Sequence, residues 1–238
     1  MPDFARRTLT PELMDTEDCD FQTFRACLVD LAAVNRLTLA YRPTVDFFDR
    51  LARAGRWPAD RPLRVLDVGA GYGDMLRVLD RWAGRRGLAL ELSGADLNPF
   101  AARAASEATG AARSIRWITA DAMNLPGDPP DVVISSLFAH HLDDDQLVHF
   151  LAWSERAARI GWFVNDLHRH AFSYYGFGLL ARLMRWHRFV IHDGPVSIAR
   201  AFAARDWRDL LREAGLPEDA AKVVWRFPFR LCVERVKP

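Results

Sequence analysis

The run Val65-Leu66-Asp67-Val68-Gly69-Ala70-Gly71-Tyr72-Gly73 ends an apolar, β-branched stretch in glycines, where a main chain can turn sharply and lie close to a ligand. The spacing is GxGxG, with Asp74 where the dinucleotide fingerprint GxGxxG has its last glycine, and no P-loop sequence is present. Both features set NAD and ATP aside. Asp96 closes the next apolar stretch, 25 residues after Gly71, and a carboxylate there can accept hydrogen bonds from both hydroxyls of a ribose. Asp121 ends a third stretch in TADAMNLP, where an acid beside Met123 can accept from an adenine amino group. His140 and His141 directly follow a fourth stretch, and all seven histidines lie at or after His140. Histidine is suited to taking a proton near neutral pH, the service a phenolic hydroxyl needs before it attacks an electrophile.

These residues need elements that bring them to one edge. LRVLDVGA, LALELSGAD, SIRWITAD, DVVISSLF and RIGWFVNDL read as five strands. The helical spacing of Met75, Leu76, Val78, Leu79 and Trp82, and segments 100–109 and 144–158, supply the helices between them. That alternation predicts an α/β, Rossmann-like, doubly wound and mostly parallel sheet of seven strands, the last two being AKVVWRF and RLCVERV around a turn at Pro228. We expect a single domain over 1–238. It comprises a helical preface at 1–60 broken at Pro43, a core at 61–167, a helical lid insertion at 168–202, and a closing helix with terminal strands at 203–238.

VLDVGAGYG, the acidic strand end in GADLN, and ADAMNLP followed by DVVISSLFAHHL resemble the class I S-adenosylmethionine-dependent methyltransferases. More narrowly, they are similar to the small-molecule enzymes of ubiquinone and menaquinone biosynthesis. The likeness spans residues 63–166, and FAARDWRDLLREAGL looks like the family's closing helix. The resemblance implies S-adenosylmethionine as cofactor, with Gly69, Ala70 and Gly71 at its methionine part, Asp96 and Leu97 at the ribose, and Asp121 and Ala122 near the adenine. Asp67, Met123 and Ser136 complete the expected cofactor set.

The methyl group then points toward the end of the fourth strand, which makes His140 and His141 the expected catalytic residues. An activated sulfonium leaves the protein mainly to align the nucleophile and exclude water. The expected reaction is methylation of a hydroxyl on a small aromatic or polyketide-like acceptor, a secondary-metabolism type of chemistry. Carbon methylation of a quinol ring needs a similar base and similar walls. A protein that binds the cofactor without turnover is the alternative of a different class.

Tyr41, His168, Tyr174 and Tyr175 are the expected acceptor-pocket residues. The stripe Tyr174, Tyr175, Phe177, Leu179, Leu180, Leu183, Met184 and Trp186 would cover a greasy acceptor or lie at a membrane surface, and HDGPVSIARAF, a turn followed by an apolar-polar pattern, would border the pocket. No metal is expected: Asn165-Asp166 is suggestive, but the fourth strand ends in Ser-Leu-Phe-Ala, and a hard cation wants more oxygen ligands.

With 32 basic and 31 acidic residues the net charge is +1, which argues against nucleic acid as partner, as does the lack of an Asn/Asp-Pro-Pro-aromatic sequence after the fourth strand. Cys19, Cys27 and Cys232 are odd in number and widely spaced, so a reducing cytoplasm and no disulfide framework are expected. No apolar run reaches the roughly 20 residues needed to span a bilayer. A monomer or homodimer is expected.

Overall fold

In a computed structural model, which describes residues 3–110 and 113–238, three helices precede the first strand: α1 (Leu13–Thr16), α2 (Phe21–Leu37) and α3 (Arg42–Arg53). The break between α2 and α3 falls at residues 38–41, where Leu39 takes a left-handed φ of 55°, and Pro43 sits in the first turn of α3, where its missing N–H costs nothing. The chain then alternates through β1 (Leu63–Val68), α4 (Asp74–Gly84), β2 (Leu90–Asp96), α5 (Pro99–Thr109), β3 (Ile115–Thr119), β4 (Val132–Ser136), α6 (Asp144–Ala157) and β5 (Gly161–Leu167). Helices α7 (Ala171–Leu183) and α8 (Arg188–Arg200) follow, then α9 (Ala204–Glu213), β6 (Lys222–Arg226) and β7 (Arg230–Val236).

The strand order is β3-β2-β1-β4-β5-β7-β6, parallel except for β7, which runs antiparallel to both β5 and β6. The expected seven-stranded doubly wound sheet with a terminal hairpin is what forms. Successive β1 residues face opposite sides, as a pleated strand requires. Val65 packs with Phe47, Phe48, Leu76 and Trp82 from α3 and α4, whereas Leu66 packs with Phe150, Leu151, Trp207 and Leu210 from α6 and α9. Both faces are covered, which is why these strands read as continuous apolar runs.

The order reverses between β1 and β4, since the chain leaves β1 outward to β2 and β3 and returns to its other side. A crevice opens at the carboxyl ends of strands at such a switch point. Asp96, Asp121, His140 and His141 all lie at or just beyond those ends. In the antiparallel pairing Leu167 stands opposite Arg230, so the hairpin returns the chain to the same edge.

The second half of the insertion differs from the sequence expectation. The 192–202 segment is not a turn followed by a short apolar-polar pattern: α8 runs through Pro195. Gly194 packs so closely that a Cβ there would stand 1.9 Å from the Phe177 ring of α7, and this helix contact holds a segment whose Gly-Pro dipeptide favours a turn. Among the described residues, no helix is long and apolar enough to cross a membrane.

Candidate active site

A cleft of about 1310 Å³ lies over the switch point, larger than the few hundred to about 1,000 Å³ of common small-molecule pockets and roomy enough for a nucleoside-sized ligand beside a second molecule. Its floor is the glycine turn. Gly69 has a φ of +69°, and a Cβ on it would lie 2.4 Å from the Phe138 ring, so both conformation and space require glycine. Gly71, at φ +51°, has nothing within 4 Å of its Cβ position: the turn presents open space and bare backbone to the cleft.

Asp96 is held in place by that turn. The Gly71 N–H donates to Oδ2 at 2.9 Å and the Asn98 N–H donates to Oδ1 at 2.9 Å. Burial raises its carboxyl above the ordinary carboxylate range, against the pull of those two amides. Leu97 lies on the rim, largely exposed. Asp121 caps the short turn Ala122–Asn124, accepting from the Met123 N–H at 2.9 Å and the Asn124 amide at 2.8 Å, and thereby sets Ala122 and Met123 against the cleft. Ser136 also lines it, and its hydroxyl is buried without a partner among the described residues.

Asp67 stands apart from this set. It lines a separate void of about 40 Å³ behind the glycine turn, is 2 % exposed, and its Oδ1 has no partner among the described residues. Burial raises its carboxyl well above the usual range, and the charges of Asp74 and Asp96 add to this. Tyr41 faces the same void, not the cleft expected for it. Its hydroxyl donates to Asp74 Oδ2 at 2.5 Å, and Asn35 donates its amide to the same oxygen at 3.2 Å. Burial, reinforced by Asp74, pushes the Tyr41 phenol up, so it stays a neutral donor. Asp74, which in the sequence only marked a departure from the dinucleotide motif, therefore ties α2 and α3 down beside the glycine turn.

His140 and His141 form a one-turn helix after β4 and both line the cleft. His140 is 2 % exposed, and its Nδ1 lies 2.7 Å from Asp166 Oδ1. Burial raises the Asp166 carboxyl, but the charge and hydrogen bond of His140 and two backbone amides outweigh it, and the net shift is downward. An ionised Asp166 can only accept, so His140 Nδ1 carries the proton and Nε2 is left as the accepting nitrogen. His141 Nδ1 meets Asp15 Oδ2 at 3.0 Å in the same manner. The two Nε2 atoms converge on buried Glu12, at 3.6 Å from Oε1 and 4.0 Å from Oε2.

Glu12 and Asp15 come from the segment around α1, and no sequence signal joined them to histidines more than 120 residues away. Three side chains of α8 fix that segment. Arg200, 6 % exposed, donates to the carbonyls of Thr10, His140 and His141 at 3.0, 2.9 and 2.8 Å. Asp193 accepts from the Leu13 and Met14 amides, and the Ser197 hydroxyl donates to Glu12 Oε1 at 2.8 Å. The insertion helix α8 is thus the clamp that assembles the cluster.

The other expected acceptor-pocket residues lie elsewhere. Tyr174 and Tyr175 pack on Phe4 at ring separations of 5.5 and 6.4 Å and do not line the cleft. Phe172, Ser173, Gly176, Phe177 and Leu180 are the residues of α7 that line the cleft, and the three-four helical spacing from Ser173 onward turns both tyrosines away. His168 is also outside the cleft lining: its backbone pairs with Phe202 and Phe229, and burial lowers its imidazole pKa.

Residues 65–161 match a family model described as a methyltransferase domain. Among solved structures, the plantazolicin methyltransferase BpumL, in complex with a monoazolic desmethylPZN analog and SAH, is 13% identical with a TM-score of 0.61, the alignment covering 91% of this chain and 96% of that one. The magnesium protoporphyrin IX methyltransferase of Synechocystis PCC 6803 with bound SAM is 17% identical with a TM-score of 0.53, covering 84% and 81%. The mitomycin 7-O-methyltransferase MmcR is 20% identical with a TM-score of 0.52, covering 74% and 49%. No curated protein sequence matches the chain. Residues 65–161 thus resemble a methyltransferase domain, and the chain has a Rossmann-like fold shared with these methyltransferase structures.

Proposed function

We propose that the protein transfers a methyl group from S-adenosylmethionine to a hydroxyl of a small, apolar, aromatic or polyketide-like acceptor. The observation that carries this reading is a single cleft that joins the open glycine turn and Asp96 to the convergent Glu12, His140 and His141. The residues present fit the cofactor: the Cβ-free space at Gly71 admits its backbone-hugging end, and Asp96 retains lone pairs for ribose hydroxyls after accepting two amides. When bound, the cofactor supplies an electrophilic methyl group. The protein's share is to orient the acceptor oxygen, exclude water and receive its proton.

His140 and His141 serve as the proton-accepting groups, each oriented through Nδ1 by a carboxylate and presenting Nε2 into the cleft. The apolar acceptor class follows from the cleft mouth, where Phe172 and Phe227 line the opening and are each 69 % exposed. Transfer of a labelled methyl group to alkylresorcinols, other polyhydroxy aromatics and isoprenoid quinols tests the reading. A labelled ether is the expected product, and a ring-methylated product would replace oxygen by carbon as the nucleophile. Turnover is expected to continue in the presence of a chelator. Loss that a divalent cation restores would instead give Glu12, His140 and His141, whose donor atoms lie within 4.8 Å of one another, a metal-holding role.

A pH effect follows from the surroundings of His141. Burial lowers its pKa, but the hydrogen bond to Asp15 and the charges of Glu12 and Asp15 outweigh burial and the opposing Arg200, so the net shift is upward from the ordinary value of about 6.5. The turnover number should therefore rise with pH along a limb centred above that value. Asp15→Asn removes the leading upward contribution, so the limb is expected to move to lower pH in a pH-rate profile. An unmoved limb would take His141 out of the proton path.

A further inference from the structure

Arg230 is the most isolated buried cation of the cleft. It begins β7, lines both the cleft and the small void behind the glycine turn, and is 2 % exposed. Its Nε and Nη1 are buried without a hydrogen-bond partner among the described residues, and Nη2 has only a long contact of 3.5 Å to the Thr38 hydroxyl. No carboxylate of the described residues lies within 4.0 Å of it. A buried guanidinium left unpaired is strongly unfavourable, and a planar fork of donors matches a carboxylate in two-point fashion. The same void holds groups of the opposite kind: the unpartnered Asp67 Oδ1 and the side chain of Asp74, with Gly69 and Ala70 forming its wall. A guanidinium and buried acids around one polar void complement a ligand end that carries both a carboxylate and an ammonium group, as an α-amino acid does.

We propose that Arg230 holds the α-carboxylate of the methyl donor's amino-acid end. The proposal rests on the cofactor assignment above and adds the residue that discriminates a complete donor from its nucleoside fragment.

The test uses the full chain, S-adenosylhomocysteine, which carries the amino-acid end, and 5′-methylthioadenosine, which lacks it. Arg230→Met removes the charge but keeps much of the volume, and the ligand-free protein should melt no lower than the parent, because a buried unpaired charge has been replaced by an apolar chain. Affinity for S-adenosylhomocysteine is expected to fall about 10- to 100-fold, with methylthioadenosine unchanged. Arg230→Lys retains the charge without the fork and should lose affinity by a smaller factor in the same ligand-selective way.

An equal loss for both ligands, or no loss for either, overturns the proposal. Unchanged S-adenosylhomocysteine affinity together with a raised KM confined to carboxylate-bearing acceptors also overturns it, and moves the carboxylate to the acceptor. Failure of the parent protein to bind S-adenosylhomocysteine would count against the cofactor assignment. Binding without discrimination between the two ligands counts against Arg230 alone.

Discussion

Asp166→Asn is expected to lower the turnover number by about 10²- to 10⁴-fold, the range that a positioned proton-transfer group contributes, while leaving affinity for S-adenosylhomocysteine unchanged. Asp166 is fully buried at the end of β5 and accepts from His140 Nδ1 at 2.7 Å, from the His140 backbone N–H at 3.1 Å and from the Leu167 N–H at 2.6 Å. An asparagine retains one accepting oxygen but presents a donating NH2 where a backbone or imidazole N–H now donates. The imidazole can then adopt the tautomer that leaves Nδ1 without its proton and closes Nε2 to the acceptor. A stability loss of about 1–3 kcal/mol for the mismatched buried donor is expected alongside, so turnover is to be compared below the variant's own melting transition. Parent-like turnover in a destabilised protein would reduce Asp166 to a structural residue and remove His140 from the chemistry.

The second large effect is on the donor. Asp96→Ala is expected to weaken S-adenosylhomocysteine binding by about 100-fold or more, because two hydrogen bonds from ribose hydroxyls to an ionised acceptor contribute on the order of 1.5–3 kcal/mol each. The substitution also frees the Gly71 N–H, whose bond to Asp96 Oδ2 at 2.9 Å sets the turn against β2. Calorimetric titration measures it directly. An affinity within about threefold of the parent, a difference below 1 kcal/mol, would show that no ribose rests on this acid.

The parts of the site that could be read from the sequence are those encoded locally. The glycine turn, Asp96, Asp121 and the histidine pair each stand within a few residues of the strand end that places them, so the spacing and the alternation of strand and helix suffice. Glu12 and Asp15 could not be found in this way. They reach His140 and His141 only because Arg200 and Asp193 of α8 hold the leading segment across the cleft, and such contacts leave no periodic trace.

Tyr174 and Tyr175 point away from the cleft for a related reason. The aromatic stripe predicts that α7 covers the cleft, but its rotation is set by Phe177 packing on Gly194 and by Phe4 covering the tyrosines. Tyr41 had an aromatic's apparent suitability for a pocket, yet its hydroxyl is committed to Asp74. In each case a partner distant in the chain decided the direction of a side chain whose element had been foreseen.

Titration of the protein with S-adenosylhomocysteine by calorimetry decides whether the cleft is a donor site. One ligand per chain is expected, bound in the cleft that contains Asp96 and the glycine turn, in a titration that Asp96→Ala suppresses. No binding at millimolar ligand, or binding that Asp96→Ala leaves intact, would contradict that expectation.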